Sequence, residues 1–288
     1  MRVFEIPEGS RTSKGRAIQN LINIEQDDSV KAFICTQDLK DEDYINAHYV
    51  IMATKKGVVK KTSLEQYSRP RQNGINAITV RDGDELLEAK LTTGTSQIFL
   101  GLKSGKAIRF EESKTRPMGR NASGVRGVTL ANDEDEVIGM VSVHNFEEEI
   151  LVVSEKGYGK RSSIEDYRVT NRGGKGVKTI SVTDKTGGLV AIKNVTDSDD
   201  LMIINKSGIA IRMSVEDLRV MGRATQGVRL INIKGNDSIA AVAKVMKDED
   251  DLEESEILDI EVNTEGATEV DDTEEKDGTE IDNPDTEE

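Results

Sequence analysis

The sequence predicts an all-β protein of the β-propeller type, built from four-stranded blades that repeat about every 50 residues. Three observations support this prediction: two phased sets of glycines, short apolar runs rich in β-branched residues, and the lack of long helical periodicity. The first-glycine set recurs at intervals of 48, 52 and 51 residues and comprises Gly57, Gly105, Gly157 and Gly208. The second-glycine set recurs at intervals of 59, 50, 52 and 51 residues and comprises Gly15, Gly74, Gly124, Gly176 and Gly227.

Each full unit carries four short apolar runs. In the last unit these runs cover residues 201–204, 209–211, 228–231 and 239–242. Runs of this length, bounded by Gly, Asn, Asp and Ser, predict strands, and only the stretches after the second run, such as residues 163–167, suit a helical turn. Four strands per unit predict a propeller blade. A solenoid of stacked β-units is the alternative, although solenoid repeats are usually shorter.

Charge divides the chain into a mildly basic body and a strongly acidic tail. The chain has 54 acidic and 39 basic residues, and residues 247–288 hold 21 and 2 of these, which leaves 33 and 37 for residues 1–246. We predict that residues 247–288 form a disordered tail, because dense like charge with few apolar residues cannot form a core.

The body is predicted to form one domain of residues 1–246. An extra polar segment, residues 37–48, accounts for the longest glycine interval. Residues 1–36 hold only the second half of a unit, so we expect the sequence to be a fragment of a longer protein; the alternative is a natural start with an atypical capping unit. Full blades are expected at residues 49–92, 97–143, 149–195 and 200–246.

Composition and motifs argue against several classes of protein. The sequence contains no run of about 18 apolar residues, so we predict no membrane span. It also shows no basic and apolar leader, so we do not expect secretion. Cys35 is the single cysteine, which favours a reducing cytoplasm. His48 and His144 lie in unrelated connections, and no spacing of Cys or acidic residues completes a metal site. Residues 101–106 are one residue short of a nucleotide phosphate loop. We therefore predict no catalytic residue, no metal and no cofactor in this chain.

Basic residues keep phase with the repeat. The first-glycine cations, four residues after each first glycine, are Lys61, Arg109, Arg161 and Arg212. The second-glycine cations lie four residues before or two residues after a second glycine, and they are Arg120, Arg172, Arg223, Arg126, Lys178 and Arg229, with Lys175 directly before Gly176. A further phased set, eight residues before the second glycine, comprises Arg116, Arg168 and Arg219.

Cations in phase predict a belt, because equivalent positions of a radial array fall on the same rim of every blade. Such a belt is typical of contact with a phosphate backbone, which positions nucleic acid without reading its bases. Double-stranded DNA is favoured, because single-strand sites pair cations with stacking aromatic residues, which are few here. The alternatives are a merely solvated charged rim and a protein-interaction scaffold, whose binding would depend weakly on salt.

Several segments resemble the C-terminal domain found in the A subunit of DNA gyrase, a type II DNA topoisomerase. These segments are residues 3–8, 15–18, 124–127, 157–161 and 220–228, and the resemblance extends from residue 2 to about residue 246. It implies a six-bladed β-pinwheel, a propeller variant whose blades exchange strands, of which this chain would supply the last four blades and about half of the second.

The resemblance also implies a function and partners. The family wraps duplex DNA round its basic rim and so supports ATP-dependent negative supercoiling by the holoenzyme. The implied partners are double-stranded DNA, the rest of gyrase A and the whole of gyrase B, in the bacterial cytoplasm and on the chromosome. ATP and Mg²⁺ would be used elsewhere in the holoenzyme. By resemblance, Lys61, Arg109, Arg161 and Arg212 are wrapping candidates, with Arg120, Arg172 and Arg223 beside them.

One departure from the family concerns its glycine-rich hallmark box, which belongs to the first blade and is missing here. Residues 172–176 are a close relative in the fourth repeat and are a candidate second DNA-contacting turn. Within the same class, the corresponding C-terminal domain of topoisomerase IV is the second alternative. The acidic tail is either a solubilising extension or a competitor that limits access of DNA to the basic belt.

Overall fold

The computed structural model describes residues 3–246, apart from residues 11, 23, 25–27, 72, 146, 234 and 236. The predicted tail therefore lies outside the described residues. In the described part, the α-helix is α1 (Glu42–Ala47), and 3₁₀ turns lie at Val3–Glu5, Ile18–Asn20, Leu64–Tyr67, Glu112–Lys114 and Ile164–Asp166. The strands are β1 (Tyr49–Thr54), β2 (Val58–Ser63), β3 (Leu86–Thr92), β4 (Gln97–Leu102), β5 (Lys106–Glu111), β6 (Val125–Arg126), β7 (Val137–Val143), β8 (Glu149–Ser154), β9 (Tyr158–Ser163), β10 (Val169–Thr170), β11 (Val177–Lys178), β12 (Leu189–Val195), β13 (Asp199–Asn205), β14 (Ala210–Ser214), β15 (Val228–Arg229) and β16 (Ile239–Met246).

Four small sheets, one for each full unit, confirm the predicted all-β, propeller-like fold. Their strand orders are β3-β1-β2-β6, β10-β5-β4-β7 with β11 also on β5, β12-β8-β9-β15, and β14-β13-β16. The last strand of each of the first three full units is β3, β7 or β12. These strands lie next to one another, since β7 contacts both β3 and β12. These strands therefore line the inner edge of the arrangement, and the opposite edge of each sheet is its outer edge.

The outer edge is built by strand exchange between units. Strand β6 does not pair within its own unit but joins β2 of the preceding unit, with Arg126 opposite Val58. Strand β11 joins β5 and β15 joins β9 in the same way. From the apolar runs we predict that each third strand belongs to the blade of its own unit. In the structure each of these strands pairs with the preceding blade instead, as the pinwheel resemblance implied.

The second glycines allow the exchanged strand to approach its neighbour closely. Gly227 has a φ of 80°, a conformation that residues with a Cβ rarely adopt. A Cβ at Gly227 would also lie 2.5 Å from the carbonyl oxygen of Gly159 in the preceding unit. The phased glycines are therefore required by backbone geometry.

We predict that Gly227→Ala destabilises the fold more than Gly208→Ala does. Both glycines have a positive φ, of 80° and 87°, so both variants incur a backbone strain of about 1–2 kcal/mol. Only Gly227 faces a close neighbour, because a Cβ at Gly208 meets nothing within 4 Å. The clash adds about 1–3 kcal/mol for Gly227→Ala. Urea unfolding of both variants measures the difference, and equal losses would show that the close approach is unimportant.

Apolar cores join each sheet to the next. The alternation of side chains along a strand sends neighbouring residues to different cores, so Phe99 packs towards the third sheet and Leu100 towards the first. Phe99 meets Tyr167 edge to face, with ring centroids 5.4 Å apart. Each sheet is therefore covered on its faces mainly by its neighbours in sequence.

Helix α1 lies in the extra polar segment and was not predicted. Its N-terminus is capped by Asp41, whose carboxylate accepts hydrogen bonds from the amides of Asp43 and Tyr44 at 3.0 and 3.2 Å. Its one buried residue is Ile45, which packs against Leu64 on the far side of the first sheet. A helix of six residues is too short to show an apolar period.

Candidate nucleic-acid interface

Three of the four first-glycine cations are buried. Lys61, Arg109 and Arg161 are 4%, 8% and 8% exposed. Each lies on the second strand of its sheet. A segment of the next unit runs parallel to that strand, and one residue of the segment pairs with the cation. These opposed pairs are Lys61–Pro117, Arg109–Val169 and Arg161–Val220.

Arg109 holds the next unit through backbone carbonyls. Its Nη1 donates to the carbonyl oxygens of Ile164 and Tyr167, both at 2.7 Å, and its Nε donates to Gln97 Oε1 at 2.6 Å. The guanidinium thus ties the 3₁₀ turn Ile164–Asp166 to the sheet of the preceding unit.

Lys61 contacts the equivalent 3₁₀ turn of the next unit through an ion pair. Its Nζ lies 3.2 Å from Glu112 Oε1, and the two side chains are 5% and 0% exposed. Glu112 begins the 3₁₀ turn of the next unit and also accepts a hydrogen bond from Thr92 Oγ1 at 2.7 Å. Lys61 Nζ further lies 4.4 Å from the centroid of the Tyr49 ring.

Arg161 repeats this arrangement between the third and fourth sheets. Its Nε donates to the carbonyl of Leu218, and its Nη1 forms ion pairs with Asp197 and with Glu149, the latter at 3.0 Å. All three buried cations therefore join one unit to the next.

The partners on the first strand are also in phase, which the sequence analysis missed. Each first-glycine cation contacts the residue near the start of the preceding strand, diagonally across the sheet. The intervals of 48, 52 and 51 residues could have revealed these partners, which are Tyr49, Gln97, Glu149 and Asp200.

The contact of the first-glycine cations with DNA stays a prediction, and the structure places three of them between successive units. Lys61, Arg109 and Arg161 lie beneath the next unit, so a phosphate cannot reach them without opening the interface between units. Arg212 differs: its side chain is 40% exposed, and its Nε lies 2.7 Å from Asp200 Oδ2. No exchanged strand covers β14 among the described residues. We therefore leave the first-glycine cations out of the interface proposed below.

The second-glycine cations lie along the outer edge. Arg126, Lys178 and Arg229 are exposed residues of the exchanged strands. The rim cations, as we name the whole set, are these three together with Lys175, which is exposed, and the half-buried Arg120, Arg172 and Arg223.

Hydrogen bonds join the rim cations of successive units. Arg172 Nη1 donates to the carbonyl of Arg126 at 3.0 Å, and Arg223 Nη1 donates to the carbonyl of Lys178 at 2.8 Å. An arginine of one unit thus lies directly beside the exchanged cation of the unit before it. The rim cations therefore form a continuous series across the units.

The glycine-rich loop at residues 172–176 is part of this series. The amide of Gly173 donates to the carbonyl of Gly127 at 2.6 Å, and Thr129 Oγ1 donates to the carbonyl of Gly173 at 2.7 Å. These backbone groups hold the preceding unit, while Lys175 remains exposed. Its role as a DNA-contacting turn stays a prediction that rests on Lys175 and Arg172.

No side chain of the rim cations forms an ion pair with a carboxylate within the described residues, and the carboxylate of Asp166 accepts only from the backbone amide of Arg223, at 3.3 Å. Cations elsewhere do form such ion pairs, for example Lys90, whose Nζ lies 3.3 Å from Glu88 Oε1, and Lys103, whose Nζ lies 3.5 Å from Glu136 Oε1. Phased cations without ion pairs produce a positive potential along the outer edge. The rim is thus suited to bind a polyanion.

A further phased set lies beside the rim cations. Arg116, Arg168 and Arg219 directly precede the residues that cross the second strands, and all three are exposed. Side chains alternate along an extended segment, which turns these arginines away from the buried crossing point. They were phased in the sequence but were not among the predicted contacts.

The acidic connections between third and fourth strands serve the hairpin turns. Asp84 accepts from the amide of Lys56 at 2.9 Å, Asp135 from the amide of Ser104 at 3.0 Å, and Asp237 from Ser207 Oγ at 2.8 Å. The hydrogen bond from Ser207 lowers the pKa of Asp237, which keeps it ionised. These carboxylates are thus engaged at the hairpin turns.

A buried lysine anchors one rim loop. Lys160 is 0% exposed, and its Nζ donates to the carbonyl of Gly222, next to Arg223, at 2.5 Å. Burial lowers the pKa of Lys160 from 10.5 to about 8, with a smaller contribution from Arg223 in the same direction and an opposing one from Asp166.

We predict that Lys160 makes stability rise with pH above about pH 8. The folded protein releases this proton near pH 8 and the unfolded chain near pH 10.5, so the unfolded state binds more protons between these values. The urea midpoint of the wild type should therefore gain relative to Lys160→Met as pH rises from 7.5 to 10. Lys90→Met, which removes an ion-paired lysine, is the control, and parallel pH profiles for wild type and Lys160→Met would contradict the prediction.

Features of other functional classes are not found in the described part of the chain. No helix there is long and apolar enough to cross a lipid bilayer. No group of three or more His, Cys, Asp or Glu side chains is arranged to hold a metal ion. His144 lies by Ser96, with Nδ1 3.1 Å from the hydroxyl oxygen.

A known protein family matches most of this chain. The family described as DNA gyrase C-terminal domain, beta-propeller, matches residues 1–37, 48–93, 103–144, 148–196 and 199–246. The chain is 44% identical over 257 residues to the A subunit of DNA gyrase from Staphylococcus aureus (strain MRSA252), a match that covers 89% of this chain. The chain spans 28% of the length of that relative.

Two solved structures share the fold. The C-terminal domain of DNA topoisomerase IV matches with a TM-score of 0.75 and 23% identity, over 86% of this chain and 75% of that chain. A DNA gyrase A C-terminal domain matches with a TM-score of 0.71 and 23% identity, over 81% of this chain and 76% of that chain.

Proposed function

The chain belongs to the family of DNA gyrase C-terminal domains, and on that premise we propose that it binds double-stranded DNA without sequence preference and wraps it along the rim cations. The observation that carries the proposal is the series of phased cations whose side chains form no ion pair among the described residues. Phosphate contacts of this kind fix position but carry no sequence information.

The energetics of this proposal are set by salt. Each phosphate neutralised by a cation contributes about −0.9 to the slope of log K against log salt, so seven rim cations give a slope near −6, roughly. Bending the duplex by 40–90° costs about 1–6 kcal/mol by smooth elastic estimates. The rim contacts offset this cost at low salt and lose that ability as salt rises.

We further propose that the chain acts as part of gyrase A, beside the rest of that protein and its partner gyrase B. The 44% identity to a gyrase A sequence supports this choice over topoisomerase IV. Negative supercoiling, driven by ATP and Mg²⁺, belongs in this proposal to the holoenzyme. The proposed location is the bacterial cytoplasm, on the chromosome.

The domain division belongs to the same proposal. Residues 1–246 are the DNA-binding domain, and residues 247–288 are an acidic tail, for which the competing role with DNA remains a prediction. The rival scaffold function has no specific observation in its favour.

A topology assay tests the wrapping. The full chain is added to a relaxed plasmid, a type I topoisomerase relaxes the complex again, and the topoisomers are separated after removal of protein. Wrapping is expected to displace the topoisomer distribution at low salt and to leave it unchanged at high salt. Binding without any displacement at low salt would contradict wrapping.

A further inference from the structure

Two lysines face each other across the outer edge of the second sheet. Lys106 on β5 lies directly opposite Lys178 on the exchanged strand β11. The amide of Thr179 donates to the carbonyl of Gly105 at 2.8 Å. The next pair along the two strands, Thr179 and Gly105, is therefore the hydrogen-bonded pair. The lysines therefore form a non-hydrogen-bonded pair, the arrangement in which cross-strand side chains lie closest.

This pairing differs from those on the neighbouring sheets. Arg126 lies opposite Val58, and Arg229 lies opposite Tyr158, whose hydroxyl accepts a hydrogen bond from Arg229 Nη2 at 3.0 Å. In the second sheet, the residue opposite the exchanged cation is Lys106 instead of a valine or tyrosine, so two positive charges face each other. Like charges directly opposite each other destabilise a sheet, so this pair is unfavourable for folding.

A third cation lies at the same place. Arg223 Nη1 lies 2.8 Å from the carbonyl oxygen of Lys178. Lys178 is exposed and Lys106 is half-buried, and neither forms an ion pair with any carboxylate in the described part of the chain. Cations from three successive units therefore converge, and the nearby carboxylate of Asp166 accepts a hydrogen bond from the backbone amide of Arg223 at 3.3 Å. No ion pair neutralises Lys106 or Lys178 within the described residues.

We propose that Lys106, Lys178 and Arg223 form a phosphate-binding site for the DNA backbone, in which Lys106 is a contact that the phased pattern does not reveal. The proposal rests on the proposed function and names one site within it. A backbone phosphate supplies the negative charge that the two ammonium groups lack, so binding relieves their repulsion. Lys106 escapes the phased pattern because Val58, Tyr158 and Ile209 occupy its position in the other units.

Lys106→Gln tests the site with two readouts on the full chain. Affinity for a duplex of about 100 bp is measured across a salt series, and the urea midpoint is measured without DNA. Loss of one phosphate contact should lower affinity roughly eightfold at about 0.1 M salt and reduce the salt slope by about 0.9. The urea midpoint should stay equal or rise, because the repulsion is gone. Lys106→Arg should keep the affinity.

Lys90→Gln is the matched control, because it removes a lysine of an inner strand that is paired with Glu88. An affinity loss for Lys106→Gln no larger than for this control overturns the site, while binding by the wild type leaves the proposed function standing. A loss accompanied by a lower urea midpoint assigns Lys106 a structural role and also overturns the site. No binding by the wild type at low salt overturns the proposed function together with the site.

Discussion

Replacing Arg126, Lys178 and Arg229 together by glutamine is expected to weaken duplex binding by roughly several hundredfold at about 0.1 M salt. These residues are the exposed cations of the exchanged strands, and no carboxylate in the described part of the chain pairs with them. Three lost phosphate contacts also reduce the salt slope by about 2.7. Fluorescence anisotropy of a labelled duplex of about 100 bp over a salt series measures both quantities.

A matched triple variant separates the rim from net charge. Lys55, Lys90 and Lys103 each lie in an ion pair away from the outer edge, with Glu85, Glu88 and Glu136. Their replacement by glutamine removes the same charge and should change the salt slope little. Equal losses from both triples would show that overall charge, and not the rim cations, determines binding.

The second large effect is on stability: Lys61→Ala should lower the free energy of unfolding by about 3–5 kcal/mol. The variant leaves the Glu112 carboxylate, which is 0% exposed, without its ion-pair partner. A buried and uncompensated charge is far more unfavourable than the absence of the pair. Urea unfolding followed by circular dichroism measures the loss.

The double variant Lys61→Met/Glu112→Leu is the control for this prediction. Replacing both partners by apolar residues of similar size is often neutral, so the double variant should recover most of the stability. A loss below about 1 kcal/mol for Lys61→Ala would mean that the pair is not desolvated, since exposed ion pairs contribute that little.

The fold was largely predictable because glycine spacing reports backbone geometry. Gly124, Gly176 and Gly227 recur where φ is positive and a neighbouring strand passes close by, whereas Gly74 has the positive φ without a close neighbour. The sheet to which a third strand belongs was not predictable from apolar runs. Val228 has the same local sequence pattern whether it pairs within its own unit or with the preceding one.

The site was predictable only in part. Phase identifies equivalent positions, but it does not say whether the next unit covers them. Lys61 and Arg126 were equally phased, yet the chain crosses over Lys61 at Pro117 and leaves Arg126 on the outer edge. Burial at these positions depends on contacts between units, which a repeat pattern within one unit does not contain. Lys106 was missed for the opposite reason, since the contact that we propose for it is confined to one sheet.

We propose that the phased cations have two roles: the rim cations bind DNA, and the buried first-glycine cations join units. The most direct test is a salt titration of duplex binding by three proteins: the wild type, the Arg126/Lys178/Arg229→Gln variant and Lys61→Met/Glu112→Leu. We expect a salt slope reduced by about 2.7 for the rim variant and an unchanged slope for the double variant. An unchanged slope for the rim variant, or a reduced slope for a folded double variant, would contradict it.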